Sequence, residues 1–385
     1  MPANEPSIKL DKFLGLNNRE RPARMPPGSL VSAVNVDVDN SGGIASRPGY
    51  AAVAGLAGIT SLYATRDGER MYAIAGGALL RIHETAPLAG ETIATGIGAG
   101  PVYWSEFGDR VFLTGAAALE IEHSTARPQE VSAGAPPLLT LTTGALSAGR
   151  YRIGVVQRDA YGREGACRVS EIEVPDGGGI RVEAPAAAAH TPVIYASVAD
   201  GADLFRYAEG DTCEITEPHY ATMAISPEQI GAHGLPPGAG PHCVYQGRLH
   251  VAVPAGDATA VFFSQPFWFH LFDLARDFFV VPGRVMLMAG TPQGIVIGTD
   301  RAVYAYADGA FGQVLDCGVP AGGQVAWDGD TAFFWTQDGF AQALPARLLA
   351  YAQYRPPACE EAAIGIIKDD GADRLLASLG GVDAA

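Results

Sequence analysis

From about residue 59 onward, apolar positions alternate in short runs, and each run ends at a glycine-bearing turn. Residues 61–65 (SLYAT), 70–75 (RMYAIA) and 78–82 (ALLRI) are separated by Asp67-Gly68 and Gly76-Gly77. Alternation of period two bounded by such pairs predicts β-hairpins, because these residues tolerate the positive φ of a tight turn. The same phrase returns about 39 residues later, as 102–105 (VYWS), 110–114 (RVFLT) and 118–121 (ALEI). Laying residues 71–82 over 110–121 superposes their apolar positions. A period near 40 residues with about four short strands per repeat predicts the blades of a β-propeller.

The pattern resumes in the C-terminal half. Runs 248–253 and 260–264, then 294–299 and 302–306, then 331–336 and 340–344 form successive strand pairs. Asp308-Gly309, Asp328-Gly329 and Asp338-Gly339 mark further hairpins. Between the halves the texture changes. Pro136-Pro137 opens a stretch of strand-like runs at 138–142, 149–157, 168–174, 179–183, 192–198 and 204–208, closed near Glu217-Pro218. Gly149, Tyr151, Val155, Asp159, Gly162, Glu164 and Gly165 follow a spacing that resembles a fibronectin type III or immunoglobulin-like β-sandwich. The expected fold is therefore all-β, a propeller carrying an inserted sandwich. Its expected parts are an N-terminal arm and first hairpin (1–50), the first part of the propeller (51–135), the insert (136–218), and the second part with a C-terminal tail (219–385).

Residues 265–279 (QPFWFHLFDLARDFF) fit no blade and read as a short helical or looped excursion. Packing into the core is the plain expectation for such a run. Its aromatic density also suggests a protein contact, since aromatic anchors dominate interface energetics. Phe267, Trp268, Phe269 and Phe272 are the candidate contact residues. From residue 369 the tail reads as a last hairpin or a loose end.

The N-terminal segment carries the most specific wording. Phe13, Gly15 and Asn17 are followed by Ala33, Asn35, Val36, Asp37, Asp39 and Gly42, and then by Arg47-Pro48-Gly49-Tyr50. Residues 34–38 and 44–47 read as two strands joined by the turn 39–43. The order F-x-G-x-N, A-x-N-V-D-x-D-x-x-G, R-P-G-Y resembles the opening of the β-propeller proteins of bacteriophage tails. Three later stretches are similar to the same family: Tyr245 to Ala252, Phe263-Ser264-Gln265-Pro266, and Gly294 to Tyr304. Such proteins form the hub or nozzle ring below the portal and adaptor of short-tailed phages. The resemblance implies a virion protein that assembles in the host cytoplasm, a six-membered ring around the DNA exit path, and partners in the portal or adaptor above and distal tail proteins below. The proline-rich arm, with Phe13 and Leu16 as anchors, is expected to lie extended against a partner or a distant blade.

Charge narrows the partners. A net charge of −16 without any block of Lys or Arg leaves no footprint for tight phosphate binding. Solubility accounts for such a balance, and an acidic channel wall along which DNA slides without sticking is the sharper reading. The first residues carry no charged region followed by an apolar run, so no signal peptide is expected, and no apolar stretch approaches the roughly 18 residues of a membrane span, so no membrane partner is expected. Five dispersed cysteines, never in a C-x-x-C pair, read as free thiols.

No motif assembles into an active site. His242-Cys243 with His250 is the one loose metal-like cluster, and the pair spacing of a zinc site is absent. Asp37 to Gly42 echoes a calcium loop, but Pro48 stands where a bidentate Glu is needed. Asp338 sits in a hairpin lacking the spacing and the Trp of a sialidase Asp-box, and Gly177-Gly178-Gly179 precedes no helix that could cradle phosphate. The expectation is a structural protein without catalytic residues, metal or cofactor. The alternative is a propeller glycosidase or depolymerase, or a carbohydrate-binding propeller.

Overall fold

The computed structural model describes residues 12–381 except 40, 48, 50–52, 54, 55, 84–87, 219–222, 323, 324, 351, 370 and 371. Among these residues the regular structure is β throughout, save for two single-turn 3-10 helices, Pro22–Arg24 and Pro227–Gln229. The chain divides into two compact units, Met1–Thr92 with Met286–Ala385, and Ile93–Val285.

The first unit holds three antiparallel meanders of four strands each. The first runs Ile59–Ala64, Met71–Ala75, Ala78–His83 and Ala89–Thr95. The second runs Val285–Thr291, Gly294–Thr299, Val303–Ala307 and Ala310–Leu315. The third runs Ala326–Asp328, Thr331–Thr336, Gly339–Gln342 and Arg347–Leu348. Local chemistry closes these hairpins. Asp308 and Gly309 take φ of 50° and 79°, the paired positive values of a two-residue turn that matches strand twist. At two other turns a threonine hydroxyl donates to the carbonyl three residues on, Thr291 to Gly294 at 3.0 Å and Thr336 to Gly339 at 2.9 Å. The last two meanders share one core, in which Leu287, Val296 and Val303 pack with Phe334, Ala332 and Ala341. The larger of these side chains, Leu287, Val296, Val303 and Phe334, each contribute roughly 1.5–3 kcal/mol by leaving water.

The second unit holds a four-stranded meander, Val102–Phe107, Arg110–Gly115, Leu119–Glu122 and Thr125–Pro128. The sequence repeat is real at the level of strands: residues 71–82 and 110–121 both supply the second and third strands of a meander. The other meander-like sheet of this unit is His242–Tyr245, Arg248–Ala255 and Ala258–Gln265, whose third strand pairs both Trp268–Phe272 and Phe278–Pro282. Residues 265–279 are thus strand, turn and strand, and the helical or looped excursion expected from their composition is not what forms. The reason is the Pro266-Phe267 turn. Phe267 adopts φ of 60° and its amide donates to the Gly247 carbonyl at 2.7 Å, which folds the aromatic run back onto the sheet.

Between these sheets, seven strands form two layers. Leu138–Leu146, Gly178–Glu183 and Thr212–Ile215 lie side by side in one sheet. The other runs Arg168–Val174, Gly149–Arg158, Thr191–Ala196, Phe205–Glu209. Tyr151, Ile153 and Val155 alternate inward to meet Ile180, Val182 and Ile215. Val156 faces the opposite way and joins Cys167, Val193, Tyr195 and Leu204 in a second cluster. Burial on both faces is why the run Ile-Gly-Val-Val lacks a clean polar alternation.

Candidate interaction surface

The motif residues at the N-terminus interlock. Gly15–Leu16 pairs in parallel with Ser29–Leu30, and the Leu14 amide donates to the Gly28 carbonyl at 2.9 Å. A Cβ on Gly28 would fall 2.5 Å from the Lys12 carbonyl oxygen, so the close approach requires glycine there. Asn17 is buried, and its side-chain oxygen accepts from the amides of Arg19 and Glu20. Asn18 presents its amide to the backbone of Arg355, donating to the carbonyl at 2.8 Å and accepting from the N–H at 2.7 Å. The described part of the arm therefore runs along residues 353–355. Phe13 and Leu16 are half-buried at its root; residues 1–11 lie outside the described residues.

The hairpin Val36–Val38 with Ile44–Ser46 continues this arrangement. Asp37 is gripped by Arg47 at 2.8 Å and by Arg374 of the C-terminal hairpin at 3.0 Å. That hairpin, Glu361–Asp369 with Ala372–Gly380, is the form taken by the tail. Asp39 spends its carboxylate on its own turn, accepting from Ser41 and from the Gly43 amide at 2.8 Å. These bonds, with that of the Ser41 hydroxyl foremost, hold its pKa below the ordinary value. Pro48 and Tyr50 lie outside the described residues.

In the second unit the aromatic run grades from surface to core. Phe267 is 65% exposed, Phe107 40%, Phe269 3%, and Phe112 fully buried. Their rings step inward at centroid separations of 6.0, 5.3 and 5.0 Å. Trp268 is half-buried and packs on the cluster of Ala166, Ala232 and Leu271. Of the four aromatics expected to meet a partner, Phe269 and Phe272 are core residues, because the strand Trp268–Phe272 is buried on both faces after its first residue. The surface belongs to Phe267, with Phe107 beside it. A phenylalanine held at positive φ is strained, and such strain clusters at functional positions.

The titratable groups are engaged in packing. Glu120 is buried among Arg127 at 2.7 Å, Arg163 at 2.8 Å and Arg110 at 3.5 Å. Burial alone would raise its pKa, and the hydrogen bond and charges of these arginines reverse the shift and hold it low. Arg163 also binds Asp159 at 2.8 Å, so the cluster fastens the turn after Gly149–Arg158 to the first meander of its unit. His242 lies 2.9 Å from the Thr114 hydroxyl through Nδ1 and 3.2 Å from the Phe112 carbonyl through Nε2. A carbonyl can only accept, so the neutral ring carries its proton on Nε2. Burial pulls His242 and His250 down to about 4. Cys243 and His250 are cross-strand partners. Among the described residues, no three His, Cys, Asp or Glu side chains converge as metal ligands would. A cavity of about 270 Å³ lies between residues 99–116 and 238–259, walled by Gly, Ala and Pro backbone with Tyr103, Thr259 and Arg284 at its edge. No helix among the described residues is long and apolar enough to cross a membrane.

Sequence reasoning found the arm motif but missed its partners. Asn18 and Arg355 are 337 residues apart, and no local signal pairs them. Comparison with known proteins adds little. No protein-family model matches the chain, and no curated protein matches its sequence. Among solved structures, apo AztD from Citrobacter koseri is similar over 84% of this chain and 90% of its own, at 14% identity and a TM-score of 0.29.

Proposed function

We propose that this chain is a structural subunit of a bacteriophage virion, a tail hub or nozzle protein that assembles as a ring around the DNA exit path. The carrying observation is the N-terminal motif, whose residues are engaged with one another rather than scattered: the Phe13 amide donates to the Gly42 carbonyl at 2.9 Å, the Arg47 amide donates to the Asn35 carbonyl at 3.1 Å, and Asp37 binds Arg47.

In this reading the five antiparallel sheets are blades of one β-propeller. Contacts inside the units support it. In the second unit Thr114 and His242 join the two meander-like sheets, and in the first Arg66 reaches both Gly290 and Trp327. The seven-stranded double layer is an immunoglobulin-like insert in the broad sense. Its Tyr151 hydroxyl donates to the Ser147 carbonyl at 3.1 Å, a corner bond of the kind such sandwiches use. Its strand order, first-fourth-seventh against third-second-fifth-sixth, departs from the usual immunoglobulin arrangement.

Electron microscopy of the purified chain tests the function. Rings with a central opening wide enough for duplex DNA are expected. A chain that stays monomeric at every concentration, with or without portal and adaptor proteins, overturns the reading.

A further inference from the structure

We infer that residues 17–28 form a basic docking loop that seats on the acidic surface of a second copy of this chain. The inference rests on the proposed ring and names the surface that would hold it together.

The loop is pinned at its base, and Arg19 Nε donates to the Tyr354 carbonyl at 3.3 Å. Gly15–Leu16 and Ser29–Leu30 close its base, the Asn17 amide donates to the Leu30 carbonyl at 2.8 Å, and Asn18 ties it to Arg355. Beyond that root, residues 18–24 are all exposed, and a single turn at Pro22–Arg24 shapes the tip. A surface loop of this length with its ends together is a recurrent functional form. Pro22, Pro26 and Pro27 restrict the backbone, so little further entropy is lost when the loop binds.

Its charge selects the occupant. The loop carries Arg19, Arg21 and Arg24 against Glu20, in a chain whose formal net charge is −16. Among the described residues Arg21 and Arg24 have no ion-pair partner within the chain, and both are exposed. Two acidic copies repel over most of their surfaces. A basic loop on each is where a contact between them gains attraction, and complementary charge fixes register and speeds encounter. Nucleic acid fits less well, because three arginines offer few phosphate contacts while the rest of the chain repels the duplex.

The test is sedimentation of the intact chain and of the double variant Arg21→Glu, Arg24→Glu at low and high salt, each with and without a DNA duplex. Both side chains are exposed, so the variant should keep the unfolding midpoint of the parent, which a thermal melt verifies. The expected result is self-association of the parent that weakens with salt, and a variant whose association is about tenfold weaker. A parent that assembles alongside a variant that assembles equally well overturns the inference and leaves the ring standing. A parent that never associates, with or without portal and adaptor proteins, overturns the ring and the inference with it. A variant that loses only duplex binding shows the loop to be a DNA contact and also overturns the inference.

Discussion

The guanidinium of Arg66 lies over the indole of Trp327, 3.4 Å from the ring centroid, and its Nη2 donates to the Gly290 carbonyl at 3.1 Å. One side chain from the turn between Ile59–Ala64 and Met71–Ala75 thus ties its own sheet to two others of its unit, both more than 200 residues away in sequence. The planar, delocalised cation suits this position, since it stacks on one partner while donating in plane to another.

Replacement of Arg66 should therefore cost stability in a specific way. Arg66→Ala is expected to lose about 1–2 kcal/mol. Arg66→Lys should recover little of this, because an ammonium cannot stack and reach Gly290 together. Urea unfolding of the three proteins measures the difference, and full rescue by lysine would refute the stacking argument.

Glu120 makes a sharper case. Its carboxylate is buried against three guanidinium groups, and removing its charge leaves them facing one another in a poorly solvated site. Glu120→Gln is expected to destabilise the second unit by about 3 kcal/mol. Proteolysis should then open the 159–163 turn first, since Arg163 loses its anchor there. A variant with parental stability and an intact turn would show the cluster to be dispensable.

Acid should unfold this protein through its histidines. His242 and His250 titrate near 6.5 in an unfolded chain and at about 4 when buried. The stability they confer is complete above pH 6.5 and is lost as pH falls from 6.5 toward 4. Each can account for roughly 3 kcal/mol at most. Burial lowers His270 in the same direction. The carboxylates of Glu120, Asp159 and Asp277, also held low, add to the loss at more acid pH still. Urea midpoints measured from pH 8 to 4 should be level at first and then drop; a midpoint that holds steady to pH 4 contradicts this.

The net charge leads to a prediction about DNA. At physiological salt the purified chain should bind a duplex very weakly, because few phosphate contacts can release counter-ions. Tight binding with a steep salt dependence, read by fluorescence anisotropy, would sink the picture of DNA passing without sticking.

The sequence by itself determined what is local. Strand periodicity, the Asp308-Gly309 hairpin and the repeat of 71–82 in 110–121 are legible because a turn and its flanking strands are decided within a few residues. It also marked the arm motif and the changed texture after Pro136. Tertiary structure alone decided which aromatics reach solvent. Phe267 and Phe269 look alike in sequence, yet one is strained at the surface and the other is packed on Phe112, a choice fixed by the pairing of Trp268–Phe272 with the preceding strand. It alone brought Asn18 to Arg355, Asp37 to Arg374 and Arg66 to Trp327. Such contacts form only once distant sheets have docked, and their energy depends on a geometry that no short stretch of chain encodes.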